Sequence, residues 1–191
     1  TPLTNISGGA DMLLYHQNTL TEKEKNRLFQ SIFDDSSWLI SLVENLLAMT
    51  SLESAPNVPR SPELVEDIIT ESLKHVSAGV KQYVLKVHPL DDLLMINVDP
   101  HLIAQVIVNL INNVVQHTPN KTNIVINAQQ INSNQALFSI ANDGPTLSDI
   151  DFQNMFNLFY TGKQDLVAQS KRGMGIGLSL CKTIIEAYGG K

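Results

Sequence analysis

A single cysteine among 191 residues leaves nothing for an intramolecular disulfide, and the sequence shows no Cys/His cluster suited to structural zinc. A reducing compartment is the simplest home for such a chain. Long apolar runs are missing too, and nothing approaches the roughly 20 residues that a bilayer-spanning helix needs. Basic residues are the minority, 13 Lys and Arg against 19 Asp and Glu, for a formal charge of -6. That balance argues against a general binder of nucleic acid or polyanionic membranes. An initiator Met is also missing. The chain opens on Thr1-Pro2 and stops on Gly189-Gly190-Lys191, so both ends read as cut, with targeting information expected beyond them. What is present is ordinary: 43% hydrophobic residues in 191, too apolar for a mostly disordered chain and long enough for one or two domains with a real core. Neither an internal repeat nor a low-complexity tract is visible.

Two helices are expected first. Leu3, Ile6, Ala10 and Leu13 recur at helical spacing through residues 2 to about 17. Asn18-Thr19-Leu20 reads as a turn. Thr21-Glu22-Lys23-Glu24 is a capping box that opens a helix to about Glu53. Its seam is Leu28, Ile32, Asp35, Leu39, Leu42, Leu46 and Met49, which is coiled-coil or bundle spacing with Asp35 as the polar break. Two such helices do not hide their apolar stripes alone, which implies a helical hairpin that dimerises into a four-helix bundle. Pro56 and Pro59 mark a linker. Beyond it the pattern becomes mixed. Ser61-Pro62 reads as an N-cap and first helical residue, leading a helix to about Ala78. Short strands are expected at residues 83–87 and 93–98. Asp99-Pro100 starts a capped helix to about Gln116. Residues 123–129 and 135–141 alternate as a hairpin across Asn132-Ser133-Asn134. A last helix runs from about Gly177 to Tyr188, with Gly189 as its stop. The expected domains are 1–55, a helical hairpin, and 61–191, an α+β domain.

Three features could carry chemistry. On the helix before Thr118, Leu102, Val106 and Leu110 form an apolar ridge, while Gln105, Asn109, Asn112, Asn113 and Gln116 form a polar stripe. A solvated face is one reading. Against it, solvated faces usually carry Lys and Glu, whereas Asn disfavours helix. Neutral amide oxygens that tolerate burial suit Mg²⁺, which completes its shell with phosphate and water. Gly173-Met174-Gly175-Ile176-Gly177-Leu178 enters the last helix, so backbone N–H groups can crowd an anion there, though flexible loops often look the same. Asn142-Asp143-Gly144-Pro145 closes a strand and by itself reads as an ordinary turn. Phe156 and Phe159, followed by Tyr160 and Lys163, lie between that turn and the glycines.

The order of these features resembles the sensor histidine kinases of bacterial two-component systems, over essentially the whole chain. Thr1-Pro2-Leu3-Thr4 is similar to the tail of the H-box, and Asn109 to Asn113 to the N-box. Asn142 to Thr146, Phe156 to Phe159 and Gly173 to Gly177 match the G1, F and G2 boxes. The wording around Leu42 to Leu47, Phe159 to Thr161 and the last helix is most similar to the potassium-responsive Kdp-type kinases. The resemblance implies a dimerising histidine-phosphotransfer hairpin, then an ATP-binding α/β sandwich of the histidine kinase, gyrase and Hsp90 type. It implies ATP and Mg²⁺ as cofactors, with Asn113 on the metal, Asn109 near the phosphates and Lys163 on a phosphate. Gly144 would admit the adenine, and Gln116, Asn142, Arg172, Gly173, Gly175, Gly177 and Leu178 would complete the nucleotide site. Thr1 would orient water for phosphatase action. A response-regulator receiver domain and a second copy of the chain are the implied partners, nucleic acid is not, and membrane contact would come only through segments outside this chain. The expected setting is the cytoplasmic side of a membrane-anchored bacterial sensor.

The chain departs from the family pattern at informative places. The phosphoacceptor His would precede Thr1, and His16, His75, His88, His101 and His117 lack its context. Asn142 stands where the family has Asp, with Asp143 one place late. Thr146 replaces a Gly, Gln116 replaces a Lys and His117 replaces an aromatic residue. The family sheet also usually continues past the Gly-Gly pair. An alternative is therefore a degenerate dimeric scaffold that docks a response regulator without productive ATP use. A gyrase- or MutL-type hydrolase is disfavoured, because those place a Glu where this chain has Asn109, and an amide does not accept a proton at neutral pH.

Overall fold

The computed structural model describes residues 2–16, 18–54, 58–88, 93–162 and 175–191. Thr1, Lys163, Arg172 and Gly173, named above, lie outside the described residues. The chain divides into two compact units, Thr1–Ala48 and Met49–Lys191.

The first unit holds α1 (Pro2–Tyr15) and most of α2 (Glu22–Ser54). The capping box forms as read: Thr21 N–H donates to Glu24 Oε2 at 2.8 Å, and Glu24 N–H donates to Thr21 Oγ1 at 3.3 Å. Those bonds satisfy amides that a helix start leaves orphaned. Gly9 is the buried residue of α1. A Cβ there would lie 3.1 Å from Ile32 Cγ1 and 3.9 Å from Leu28 Cδ2, so its missing side chain lets the helices close. Leu28 and Ile32 of the expected seam therefore serve the hairpin itself. The stripe that α2 leaves more exposed lies one position further on, at Phe29, Phe33, Ile40, Val43 and Leu47. This corrects the expectation that the seam as a whole awaits a second copy.

The second unit opens on another correction. Ser61 and Pro62 do not start a helix. Ser61–Leu64 is strand β1, and the helix begins only at α3 (Val65–Lys74). The residues between Lys74 and the next strand include a separate 3₁₀ turn, Ala78–Gln82. β1 runs antiparallel to β3 (Met95–Val98), with Ser61 opposite Val98. Proline fits because β3 is β1's one strand partner among the described residues, and an edge strand can spare an N–H. A second sheet has the order β2-β4-β5, built from β2 (Val84–Val87), β4 (Asn123–Asn132) and β5 (Gln135–Asn142). β2 is parallel to β4, and β4 and β5 form the expected antiparallel hairpin.

Burial along β4 alternates with the period of a strand, so Ile124, Ile126 and Ala128 point inward. They form the core with Ile68 and Ile69 of α3, Ile103, Ile107 and Ile111 of α4 (Pro100–His117), and Leu180 and Ile184 of α6 (Gly177–Ala187). α4 packs against both α3 and α6. A short helix, α5 (Asp149–Asn154), precedes the Phe-rich stretch and is capped by Ser148 Oγ, which accepts from Asp151 N–H at 3.1 Å. The whole is a helical part followed by a mixed α/β part. Among the described residues no helix is long and apolar enough to cross a membrane.

Candidate functional site

α4 is the spine of the candidate site. Asp99 caps it by accepting from His101 N–H at 2.8 Å, and Pro100 occupies the first turn. At the other end the buried Tyr83 hydroxyl lies 3.0 Å from Val115 O and 2.7 Å from Thr118 O, carbonyls that a helix end leaves open. Its fully buried ridge includes Ile103, Ile107 and Ile111 as well as Val106, while Leu102 and Leu110 of the expected ridge are half-buried. The amide stripe occupies the remaining face, and its members differ in occupation. Asn112 Oδ1 accepts from Ser77 N–H at 3.2 Å, which commits it to holding the 3₁₀ turn. Asn109 Nδ2 is buried and makes no hydrogen bond of good geometry; the weakly accepting Cys181 thiol is the partner beside it. Asn113 is half-buried and Gln116 exposed.

α6 begins beside Asn109. A Cβ on Gly177 would lie 3.7 Å from Asn109 Cγ. One turn further, burial pushes the Cys181 thiol up to about 12, with the Asn109 side chain opposing that shift. Gly175 has φ +63, and a Cβ there would fall 2.5 Å from both Phe159 C and Tyr160 O. Only glycine fits that approach. Leu178 is half-buried in the first turn of α6. Asn109, Gly175 and Gly177 are thus assembled by the fold: a buried amide donor with only a weak thiol partner faces a glycine-lined helix start.

The turn after β5 lies at the far end of α4. A Cβ on Gly144 would meet Thr118 Cγ2 at 2.5 Å and Asn142 Nδ2 at 2.7 Å, so the turn presses against the residue that ends α4. Asn142 is exposed at the last position of β5. Asp143 is spoken for. Its Oδ1 accepts from Asn123 N–H at 2.7 Å and its Oδ2 from the Asn123 side-chain amide. Those bonds hold its carboxyl below the usual carboxylate range.

A buried amide donor without a strong acceptor costs free energy unless a ligand or water completes it, and a donor of this kind suits a phosphate oxygen. Among the described residues no group of three His, Cys, Asp or Glu stands together as a metal site. A cation here would rest on amide oxygens and on the phosphates of its ligand, as Mg²⁺ does. The amides of Asn109 and Asn113 on α4 fit a Mg²⁺–nucleotide in that sense. Two features were not read from the sequence: the bond from Tyr160 Oη to Asp151 Oδ1 at 2.8 Å, and the contacts of Tyr188 Oη with Asp99 N and Pro59 O at 3.0 and 3.2 Å. Both join residues distant in sequence or separated by loops, which periodicity does not register.

This geometry, an amide-bearing helix against a glycine-flanked helix start over a mixed sheet, can receive a phosphate-bearing ligand. Residues 98–191 match the histidine kinase-, DNA gyrase B- and HSP90-like ATPase family. Over its full length the chain is 36% identical to the sensor protein KdpD of Clostridium acetobutylicum, of which it spans 21%. Solved structures share the fold. Histidine kinase ThkA in complex with response regulator protein TrrA superposes with a TM-score of 0.69 at 20% identity, over 100% of this chain and 52% of that one. Full-length ShkA in complex with AMPPNP gives 0.68 at 22% identity, over 97% of this chain and 38% of that one. The chain is a relative of sensor histidine kinases of the KdpD kind.

Proposed function

We propose that this chain is the kinase core of a two-component sensor, using ATP to phosphorylate a histidine and passing the phosphoryl group to an aspartate of a response regulator. The observation that carries this reading is the buried Asn109 amide, with only the weak Cys181 thiol as partner, beside Gly177 at the start of α6. Asn109 would donate to a phosphate and Asn113, one helical turn on, would ligate Mg²⁺. The metal, when bound, supplies charge stabilisation for the transferring phosphoryl group. Lys163, Arg172 and Gly173 would add phosphate contacts, Leu178 would line the site, and Asn142 and Gly144 would meet the base. In the transfer the bond from the γ-phosphorus to the ADP oxygen breaks, a bond to an imidazole nitrogen forms, and the ring gives up its proton. Catalysis would be positioning and electrostatics. The phosphoacceptor would precede Thr1, so the chain alone is expected not to label itself, and Thr1 would serve a phosphatase step.

The ThkA–TrrA complex supports a response regulator as partner. The exposed stripe of α2 supports a homodimer. KdpD similarity supports a potassium-linked, membrane-anchored sensor whose cytoplasmic side this chain occupies. A second reading, a scaffold that has lost productive ATP use, is favoured by the neutral Asn142 and Gln116. Calorimetric titration with Mg²⁺–ATP separates the two. Saturable binding supports the kinase reading, and no heat above dilution supports the scaffold.

A further inference from the structure

The Phe-rich stretch between α5 and α6 contains a strained residue. Phe159 has φ +63, a conformation a bulky side chain adopts only when its surroundings impose it. Besides the local turn, in which Tyr160 N–H donates to Asn157 O at 3.1 Å, two longer-range contacts hold it. From one side, Phe159 N–H donates to Gly175 O at 2.8 Å, and the Phe159 and Tyr160 backbone occupies the space a Gly175 side chain would need. From the other, the next residue is fastened by its side chain, because Tyr160 Oη donates to Asp151 Oδ1 at 2.8 Å. Asp151 is itself fixed. Its Oδ2 accepts from Ser148 Oγ at 2.6 Å and its N–H donates back to that oxygen, within the cap of α5. A Cβ on Gly162 would lie 2.7 Å from Asp151 Oδ1, so the chain also returns closely past this carboxylate.

We propose that Asp151 and Tyr160 are positioning residues for the nucleotide site. They hold the backbone on which Gly175 is laid, and thereby set the start of α6 against Asn109. The path is short and physical: Asp151 to the Tyr160 ring, the Tyr160 backbone to Gly175, the fully buried Ile176, then Gly177 beside Asn109. Neither residue needs to touch the nucleotide. A backbone in the left-handed region depends on its anchors, so loosening the Tyr160 side-chain anchor should let Phe159 shift even with the Tyr160 N–H bond to Asn157 O in place. The functional half of this proposal rests on the nucleotide reading above; the structural half does not.

Tyr160→Phe removes the hydroxyl while keeping the ring and is the cleaner variant. Asp151→Ala tests the other partner, and the double variant tests whether they act as a unit. Amide hydrogen exchange on the chain reads the Phe159 amide directly, with Leu180 and Ile184 amides as internal controls in the core. Faster exchange at Phe159 in Tyr160→Phe, unchanged exchange in the controls and an unshifted melting temperature are expected. Mg²⁺–ATP affinity should fall about three- to ten-fold, the scale of one hydrogen bond, and the double variant should fall no further than the Asp151→Ala single. Unchanged Phe159 exchange, or wild-type affinity in Tyr160→Phe, would overturn the proposal while leaving the nucleotide reading standing. A wild-type chain that binds no Mg²⁺–ATP overturns the nucleotide reading and the functional half together, and Phe159 exchange still decides whether the pair holds the backbone.

Discussion

Asn112 and Asn113 are adjacent in sequence, yet α4 turns them about 100° apart. The Asn112 oxygen holds Ser77 N–H, which gives it structural work. Asn112→Ala should therefore lower stability by about 0.5–1.5 kcal/mol and leave Mg²⁺–ATP affinity near wild type. Asn113→Ala should abolish the Mg²⁺-dependent part of nucleotide binding and leave thermal stability nearly unchanged. Calorimetry with and without Mg²⁺, beside thermal melts, checks both, and equal losses of affinity would show that the stripe is not divided this way. Asn142 poses a related question. The neighbouring carboxylate does not stand in for the Asp that the family pattern has there, because Asp143 is tied through both oxygens to Asn123. A neutral hydrogen bond to the adenine amino group is weaker than a charge-assisted one by about 1 kcal/mol, or roughly five-fold in affinity. Asn142→Asp should tighten ATP by that factor and leave GTP unchanged or weaker, since a guanine carbonyl would face a carboxylate. Gln116→Lys should tighten both, because it would act on phosphate, and the two effects should roughly add. Abolished ATP binding in Asn142→Asp would mean that the Asn142 amide donates to the base.

Elements with a local chemical signature were legible in the sequence. The Thr21 and Glu24 capping box, the Asp99-Pro100 start of α4, the β4–β5 hairpin and the Gly189 stop all form where the sequence put them, Gly189 with φ +78. Each is decided by residues within a few positions of one another. The failures were decided at long range. Ser61-Pro62 carries a helix-start signature, but pairing with Asn97 and Val98 makes it a strand. α5 spans only six residues, too short for a periodic pattern. The α4–α6 contact joins residues some seventy positions apart, as Cys181 Sγ near Val106 O at 3.7 Å illustrates, and the glycine motif was visible without its partner. That contact makes a prediction. Cys181 is 4% exposed and its thiol is pushed up to about 12 from an ordinary 9.0. The native thiol should resist a disulfide reagent at pH 8 and react only as α6 leaves α4, so labelling should track unfolding in denaturant. The sign of the linkage follows. Below the ordinary value the thiol is neutral in both states and costs nothing. Between 9.0 and about 12 the unfolded chain loses its proton first, so this contribution to stability declines as pH rises across that window. Rapid labelling under native conditions would show that α6 opens locally.

At the scale of the whole molecule the first unit remains incomplete by itself. α2 is 33 residues long and α1 only 14, and the hairpin uses Leu28 and Ile32 where Gly9 lets α1 approach. The neighbouring stripe of Phe29, Phe33, Ile40, Val43 and Leu47 stays between 53% and 67% exposed. Burying a large apolar side chain fully is worth about 1.5–3 kcal/mol. Several on one helix face give a second copy reason to cover them, and the same stripe on both copies makes a two-fold interface self-complementary. The chain should therefore sediment as a dimer at micromolar concentration. Phe33→Glu puts a charge at the most exposed position of that stripe, 67%, and should yield monomer, without lowering the affinity of the second unit for Mg²⁺–ATP. Leu28→Ala is the contrasting variant. Its side chain lies 3.9 Å from the Cβ position of Gly9, within the hairpin, so it should lower the melting temperature of the first unit more than it weakens association. A monomer in the wild-type chain at high concentration, or a dimer undisturbed by Phe33→Glu, would show that this stripe is covered in another way.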